Sequence, residues 1–370
     1  MRKNIQYKKL GDICDFISGG TPSKSKIEYW KDGKIPWIKI SDFKKKYIKI
    51  SDEKITKSGL ENSSAKILKK GTILYTIFAS VGKVAILDIE ATTNQAIVGI
   101  DLKENNLLDK DFLYYFLCSI ENNIKKQARG VAQNNINISI LKNISIPILS
   151  MSLQKNIVKT LKKLEDILEN FKQKKLLINF LNKSLFIKFN KNGVEKQLDE
   201  VADIIMGQSP LSQSYNIDKK GLPFYQGKTE FRDMYIKESN IYCNSPIKIA
   251  EKNDILMSVR APVGDVNIAI HKSCIGRGLA SIRAKKIDYL YLFYLLKEQK
   301  TRIEKMGVGS TFKAINKNNI SSLKMSIVEM NKQNKIKKYL ILTEKLSFEI
   351  EKSIKEAQNL YNSLMNKYFD

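Results

Sequence analysis

The stretch Leu10-Gly11-Asp12-Ile13-Cys14-Asp15-Phe16-Ile17-Ser18-Gly19-Gly20-Thr21-Pro22 comes back in the second half of the chain as Leu198-Asp199-Glu200-Val201-Ala202-Asp203-Ile204-Ile205-Met206-Gly207-Gln208-Ser209-Pro210. Outward from it, Ile35-Pro36-Trp37 has a counterpart in Leu222-Pro223-Phe224. Gly71-Thr72-Ile73-Leu74 and Ser80-Val81-Gly82-Lys83-Val84 match Asn253-Asp254-Ile255-Leu256 and Pro262-Val263-Gly264-Asp265-Val266. Asn94-Gln95-Ala96-Ile97 meets Gly276-Arg277-Gly278-Leu279. Beyond these the offset holds at 179 residues, pairing Gly130 with Gly309, Ile136 with Ile315, Gln154 with Gln333, Ile157 with Ile336 and Leu161 with Leu340. A biased composition produces scattered matches, but not matches in the same order. The chain is an internal duplication, and the duplication sets its architecture.

Within each half, short β-rich runs bounded by Gly, Pro and Asn predict strands over Ile35 to Ile40, Ile73 to Phe78, Val84 to Leu87 and Ile255 to Val259. Helical stretches are expected over Asp111 to Gln127 and Ile287 to Lys305. Each half therefore reads as a mixed α/β (α+β) domain, with a strand order that the pattern does not disclose. The expected boundaries are 1–150 for the first domain, 151–190 for a central spacer helix, 191–328 for the second domain and 329–370 for a C-terminal spacer helix.

The spacers follow from a change of period. Ile157, Leu161, Leu164, Leu168, Phe171, Lys175, Ile178, Asn182, Leu185 and Phe189 fall at alternating steps of four and three. The same frame 179 residues on reads Ile336, Leu340, Thr343, Ser347, Ile350, Ile354, Ala357, Tyr361, Leu364 and Tyr368. Such a seam is that of a coiled coil, and no Pro or Gly interrupts it. An amphipathic helix lying on its own domain would show one such stripe. Two equal, unbroken stripes favour long helices packed on each other, antiparallel if the domains are to lie at opposite ends. Lys175, Asn182, Thr343 and Ser347 are polar seam positions suited to fixing register.

Composition narrows the function. The formal net charge of +26 on 370 residues points to a polyanion or an anionic surface, although a bias toward Lys, Asn and Ile would also raise it. No apolar run approaches the roughly 18–20 residues needed to span a bilayer, and the N-terminal residues lack the apolar stretch of a signal peptide. Cys14, Cys118, Cys243 and Cys274 are scattered without a CxxC pair, as expected of reduced thiols in the cytoplasm. His271 is the single histidine, which excludes paired-His metal sites. Gly227-Lys228-Thr229 lacks the earlier glycine of a phosphate loop, and Gly276-Arg277-Gly278 and Gly307-Val308-Gly309 are GxG alone. Asp52-Glu53-Lys54 has no preceding Pro-Asp to complete a nuclease-like pair, and the chain contains no Pro-Pro. The expectation is a protein without catalytic residues, metal or cofactor of its own.

Ser18-Gly19-Gly20-Thr21-Pro22-Ser23, then Glu28-Tyr29-Trp30 and Ile35-Pro36-Trp37-Ile38, resembles the opening of a target-recognition domain in the specificity subunits of type I restriction-modification systems. Gly71 to Leu74, Ser80-Val81-Gly82-Lys83-Val84-Ala85 and Thr93 to Ile97 resemble its central strands. Pro223-Phe224-Tyr225-Gln226-Gly227-Lys228-Thr229-Glu230-Phe231 and Arg260-Ala261-Pro262-Val263-Gly264 are similar to another branch of the same domain. The resemblance spans essentially the whole chain. It implies two target-recognition domains, each reading one half of a bipartite, asymmetric target on double-stranded DNA. It also implies that the paired helices set the gap and dock two methyltransferase subunits, and that restriction subunits join them. S-adenosylmethionine, ATP and Mg are then expected only in those partners. A coiled-coil scaffold binding non-nucleic ligands is the alternative, separated by the absence of a steep salt dependence.

Loop cations that could neutralise phosphates are Lys24, Lys26, Lys44, Lys45, Lys46 and Lys83 in the first half. Lys228, Arg232, Arg260, Arg277 and Lys313 are their counterparts in the second. Base edges are read by paired donors and acceptors, Arg on guanine and Gln or Asn on adenine. Gln95, Arg129, Gln133 and Asn134 are the first-half candidates; Gln208, Gln226, Arg260 and Arg277 are those of the second. Gln95 also has the apolar neighbours of a core amide, a single Lys often sits on a solvated surface, and Trp30 and Trp37 read as core residues.

Overall fold

The computed structural model describes residues 5–104, 106–128, 135–307 and 314–369 and divides into two units, 1–171 with 353–370 and 172–352. In the first, the apolar run Ile73–Thr76 is buried along its whole length, as such short runs are when covered on both faces. It lies between Val84–Leu87 and Ile97–Leu102, antiparallel to both. Cys14–Ser18 and Tyr47–Ile48 complete a five-stranded sheet. In the second unit, Ile255–Ser258 takes the same place between Val266–Ile268 and Leu279–Ala284, with Ala202–Met206 beyond. The predicted strands form, shortened by two residues at most.

A smaller sheet is also built twice. Ile35–Ile38 pairs antiparallel with Glu53–Ile55 and parallel with Thr92–Thr93. Leu222–Tyr225 pairs antiparallel with Tyr242–Cys243 and parallel with Ser273–Ile275. The turn before each central strand needs a left-handed residue. Gly71 supplies it with φ 92° and Asn253 with φ 71°. Glycine and asparagine are the residues that adopt this conformation readily, so the repeat exchanges one for the other without distortion.

The two predicted medium helices are each broken in two. Lys110–Ser119 starts at Asp109, whose side chain accepts from the Phe112 amide, and stops at Ile120 before Glu121–Ala128. Tyr289–Glu298 starts at Asp288 and stops at Gln299 before Lys300–Met306. Ile120 and Gln299 have ψ of −3° and −1°, far from the helical value of about −42°, and no proline marks the break in the sequence.

The central helix Met151–Phe189 has 39 residues and the C-terminal helix Met330–Phe369 has 40, about 60 Å each at 1.5 Å per residue. Each is anchored at its start by a buried glutamine. Gln154 Nε2 donates to Leu107 O (3.1 Å) and Leu149 O (2.8 Å), and its Oε1 accepts from the Asp109 amide (2.8 Å). Gln333 repeats this with Val328 O (2.8 Å) and the Asp288 amide (3.0 Å).

In the first unit, Ile157 and Leu161 join the core with Leu113 and Tyr115, and Met365 packs there too. Leu164 and Leu168 are buried, whereas Phe171, Ile354, Tyr361 and Leu364 are half-buried. Tyr361 Oη donates to Glu165 Oε1 (3.2 Å). In the second unit, Ile178, Ile336, Leu340 and Ile350 are buried. Leu185, expected in the seam, is only half-buried, and Phe186 takes the interior position instead at 2% exposure. A 3.6-residue helix drifts from a 3.5-residue frame by roughly 20° per heptad, enough to rotate the next residue inward. There Lys175 pairs with Glu351 and the rings of Phe189 and Tyr339 stack at 5.5 Å. Rising numbers on one helix meet falling numbers on the other, so the two segments run antiparallel. Of the polar seam residues, Lys175 also holds Asp233 (2.8 Å), Asn182 and Thr343 are buried, and Ser347 is half-buried.

Candidate nucleic-acid interface

Four chain segments converge at one end of each main sheet, and they do so by the same backbone bonds. In the first unit the Gly19 amide donates to Ile97 O (3.1 Å), Gly20 to Thr93 O (2.8 Å), Asn94 to Ile38 O (3.1 Å) and Ile77 to Ala96 O (2.9 Å). In the second, Gly207 donates to Leu279 O (2.9 Å), Gln208 to Ile275 O (3.0 Å), Gly276 to Tyr225 O (2.9 Å) and Val259 to Gly278 O (3.0 Å). The turn after the first strand thereby lies flush on the turn that enters the last one. Glycine is required for it. A Cβ on Gly19 would stand 2.0 Å from Asn94 O, and one on Gly207 would stand 2.1 Å from Gly276 O.

Side chains finish the arrangement. Thr21 Oγ1 donates to Gln95 Oε1, and Trp37 Nε1 donates to Gly20 O (2.9 Å). Ser209 Oγ donates to Gln226 Oε1 (2.9 Å) and accepts from the Arg277 amide (3.3 Å). Gly278, beside Arg277, is required by packing, because a Cβ there would stand 2.4 Å from the Gln226 carbonyl oxygen, whereas one on Gly276 would press mainly on the movable end of the Gln226 side chain. The surface so formed carries exposed Gln95 in the first unit and exposed Gln208, Gln226, Arg260 and Arg277 in the second. Chemically, it offers amide and guanidinium groups on a backbone fixed by the sheet.

The type I restriction modification DNA specificity domain matches this chain twice, over residues 2–179 and 190–358. The chain belongs to that family. It is 33% identical to the putative type I restriction enzyme MjaX specificity subunit of Methanocaldococcus jannaschii, over 96% of this chain and 92% of the relative. It is 31% identical to the EcoR124I/EcoR124II specificity subunit of Escherichia coli, over 44% of this chain and 41% of that one. The fold is shared with the type I restriction-modification S subunit of M. genitalium (TM-score 0.61, 19% identity, 100% of this chain and 97% of that). It is also shared with a chain from a structural study of complex assembly and conformational transition of the type I R-M system (TM-score 0.63, 24% identity, 100% and 98%).

The specificity domains hold their expected cations in different ways. Lys24 is 62% exposed; it pairs with Glu53 (3.1 Å) and lies over the Trp30 and Trp37 rings, which meet edge to face. Lys26 donates to Tyr29 Oη (2.9 Å), Lys44 faces Asp52 (3.8 Å), and Lys45 and Lys83 are exposed. Lys46 departs from the expected solvated loop. Its side chain is 15% exposed, 3.1 Å from Asp111 and 4.4 Å from the ring centroids of Tyr114 and Tyr115. Burial alone would raise the Asp111 carboxyl; hydrogen bonds and charge from Lys162 and Lys46 outweigh it and hold the group below its ordinary range. In the second specificity domain Lys228 and Lys300 both grip Asp265, and the Arg232 guanidinium turns back onto Thr229 O and Phe231 O. Arg129, Gln133, Asn134 and Lys313 lie outside the described residues.

Gln95 is exposed rather than a core amide, Trp37 is buried, and Trp30 packs half-buried against it. Thr21 and Ser209 were not among the expected site residues, although both stand in the repeated stretch just before its proline; a hydroxyl retained at equivalent places was the available signal. All four cysteines are unpaired. Among the described residues no group of His, Cys, Asp and Glu is placed to hold a metal, and no helix is long and apolar enough to cross a membrane.

Proposed function

We propose that this chain is the DNA-specificity subunit of a type I restriction-modification complex in the cytoplasm. Each specificity domain reads one half of a bipartite, asymmetric target on double-stranded DNA. The long helices, which both units share, set the gap and dock two methyltransferase subunits, and restriction subunits join that core. The chain performs no reaction itself; S-adenosylmethionine, ATP and Mg act in the partners. One observation carries the reading: the same turn-on-turn platform is built twice, with unlike side chains at its equivalent positions. Lys and Arg around it supply sequence-independent attraction to phosphates, and Gln and Arg on it supply readout of base edges. Two unlike readers imply two unlike half-sites.

Adenine-methylation mapping of cells with and without this chain tests the proposal. A single split motif is expected to be methylated only when the chain is present. An unchanged methylation pattern contradicts it.

A further inference from the structure

Gln95 and Arg277 occupy one position in two copies of the same turn. Each follows a residue whose amide is bonded to the small sheet, Asn94 to Ile38 O and Gly276 to Tyr225 O, and each precedes the residue whose carbonyl receives the amide of Ile77 or Val259. Both are exposed, and a hydroxyl lies beneath each: Thr21 on the Gln95 side chain, Ser209 on the Arg277 amide. We propose that these two side chains read equivalent bases of the two half-sites, Gln95 an adenine and Arg277 a guanine.

The inference rests on the function proposed above and assigns its specificity to two residues. Gln matches the acceptor and donor on the major-groove edge of adenine, and Arg matches the two acceptors of guanine. Availability separates Arg277 from Lys228 and Arg232, and its glycine-flanked place in the turn equivalent to that of Gln95 separates it from Arg260. Lys228 is held by Asp265 and the Arg232 guanidinium by two carbonyls, whereas Arg277 makes no salt bridge among the described residues. The backbone under both readers is fixed by sheet hydrogen bonds, which is the preorganisation that a discriminating contact requires.

Gly227 points to the same place independently. A Cβ there would meet no protein atom within 4 Å, and its φ is not positive. Nothing inside the fold demands glycine at this position, unlike Gly278 alongside. An open, side-chain-free surface next to exposed Gln226 suits close approach by a large rigid ligand such as the sugar-phosphate backbone of a duplex.

The test uses the full chain assembled with its methyltransferase partner, as wild type, Arg277→Gln, Gln95→Arg and Gly227→Leu. Methylated motifs are mapped, and binding is measured on duplexes carrying G or A at each motif position. Arg277→Gln is expected to lower the preference for G at one position of one half-site by about tenfold or more, leaving the other half unchanged. Gln95→Arg is expected to shift one position of the other half from A toward G. Gly227→Leu should melt like wild type yet bind every duplex at least about tenfold more weakly. If both reader variants keep the wild-type base preferences, the assignment is overturned while the proposed function stands. If Arg277→Gln weakens all sequences equally, Arg277 is a phosphate contact and the assignment is again overturned. A wild-type complex with no motif overturns the function itself.

Discussion

Gly207→Ala is expected to destabilise the second specificity domain by about 3 kcal/mol or more. Adding methylenes to a packed interior typically costs about 1–3 kcal/mol, and here the added carbon meets backbone on two sides. It would sit 2.1 Å from Gly276 O and 2.7 Å from Leu279 O. Neither carbonyl can rotate away as a side chain would: Leu279 opens the strand Leu279–Ala284, which is paired on both edges, and Gly276 O accepts from the Leu279 amide (3.0 Å). Relief requires lifting the Gly207–Pro210 turn and losing the bonds from Gly207 to Leu279 and from Gln208 to Ile275. Chemical denaturation should show the loss, and hydrogen exchange should show the Gln208 amide exposed. Gly19→Ala should act alike in the first domain, where the Cβ falls 2.0 Å from Asn94 O. Gly227→Ala, with no neighbour within 4 Å, should stay within about 0.5 kcal/mol of wild type. A Gly207→Ala protein as stable as wild type would refute the flush packing of the two turns.

Gln154→Leu and Gln333→Leu form the second large pair. Each glutamine is buried and satisfies backbone groups at the start of a long helix and at the cap of a shorter one. Removing the amide strands those groups away from water, at about 1–3 kcal/mol apiece. Gln154 serves the Asp109 amide and the Leu107 and Leu149 carbonyls, whereas Gln333 serves the Asp288 amide and the Val328 carbonyl. A loss of at least about 3 kcal/mol is expected for Gln154→Leu and about 2 kcal/mol for Gln333→Leu. Equilibrium unfolding measures both; losses near zero would mean that the amides are not the anchors described.

Much of this architecture was legible because the duplication placed the central strands of each sheet twice. Matching Gly71 with Asn253 looked loose as a sequence alignment, yet both residues hold the same left-handed turn. Helix length was legible from two uninterrupted stripes. The exchange of Leu185 for Phe186 was not, since a strict heptad ignores how far a 3.6-residue helix rotates over several turns. The breaks at Ile120 and Gln299 left no trace, because neither residue opposes helix on its own.

Within the site, Gln95, Arg260 and Arg277, candidates chosen from residue type and place, are all exposed at the end of the sheet. Which lysine stays in solvent was not readable. In Lys44-Lys45-Lys46 the third turns inward because Asp111, 65 residues away in sequence, waits with two tyrosine rings beside it. Gly276-Arg277-Gly278 read as GxG alone; the cause of Gly278 is the proximity of the Gln226 carbonyl, a contact set by tertiary structure alone.

The most direct test of two different readers on one chain is selection from random duplex DNA by this protein bound to its methyltransferase partner. The account predicts enrichment of two unlike short blocks separated by a fixed run of unselected bases, with binding that weakens steeply as salt rises. Enrichment of one continuous block or of two identical blocks would contradict it, as would binding with no preference and a shallow salt response.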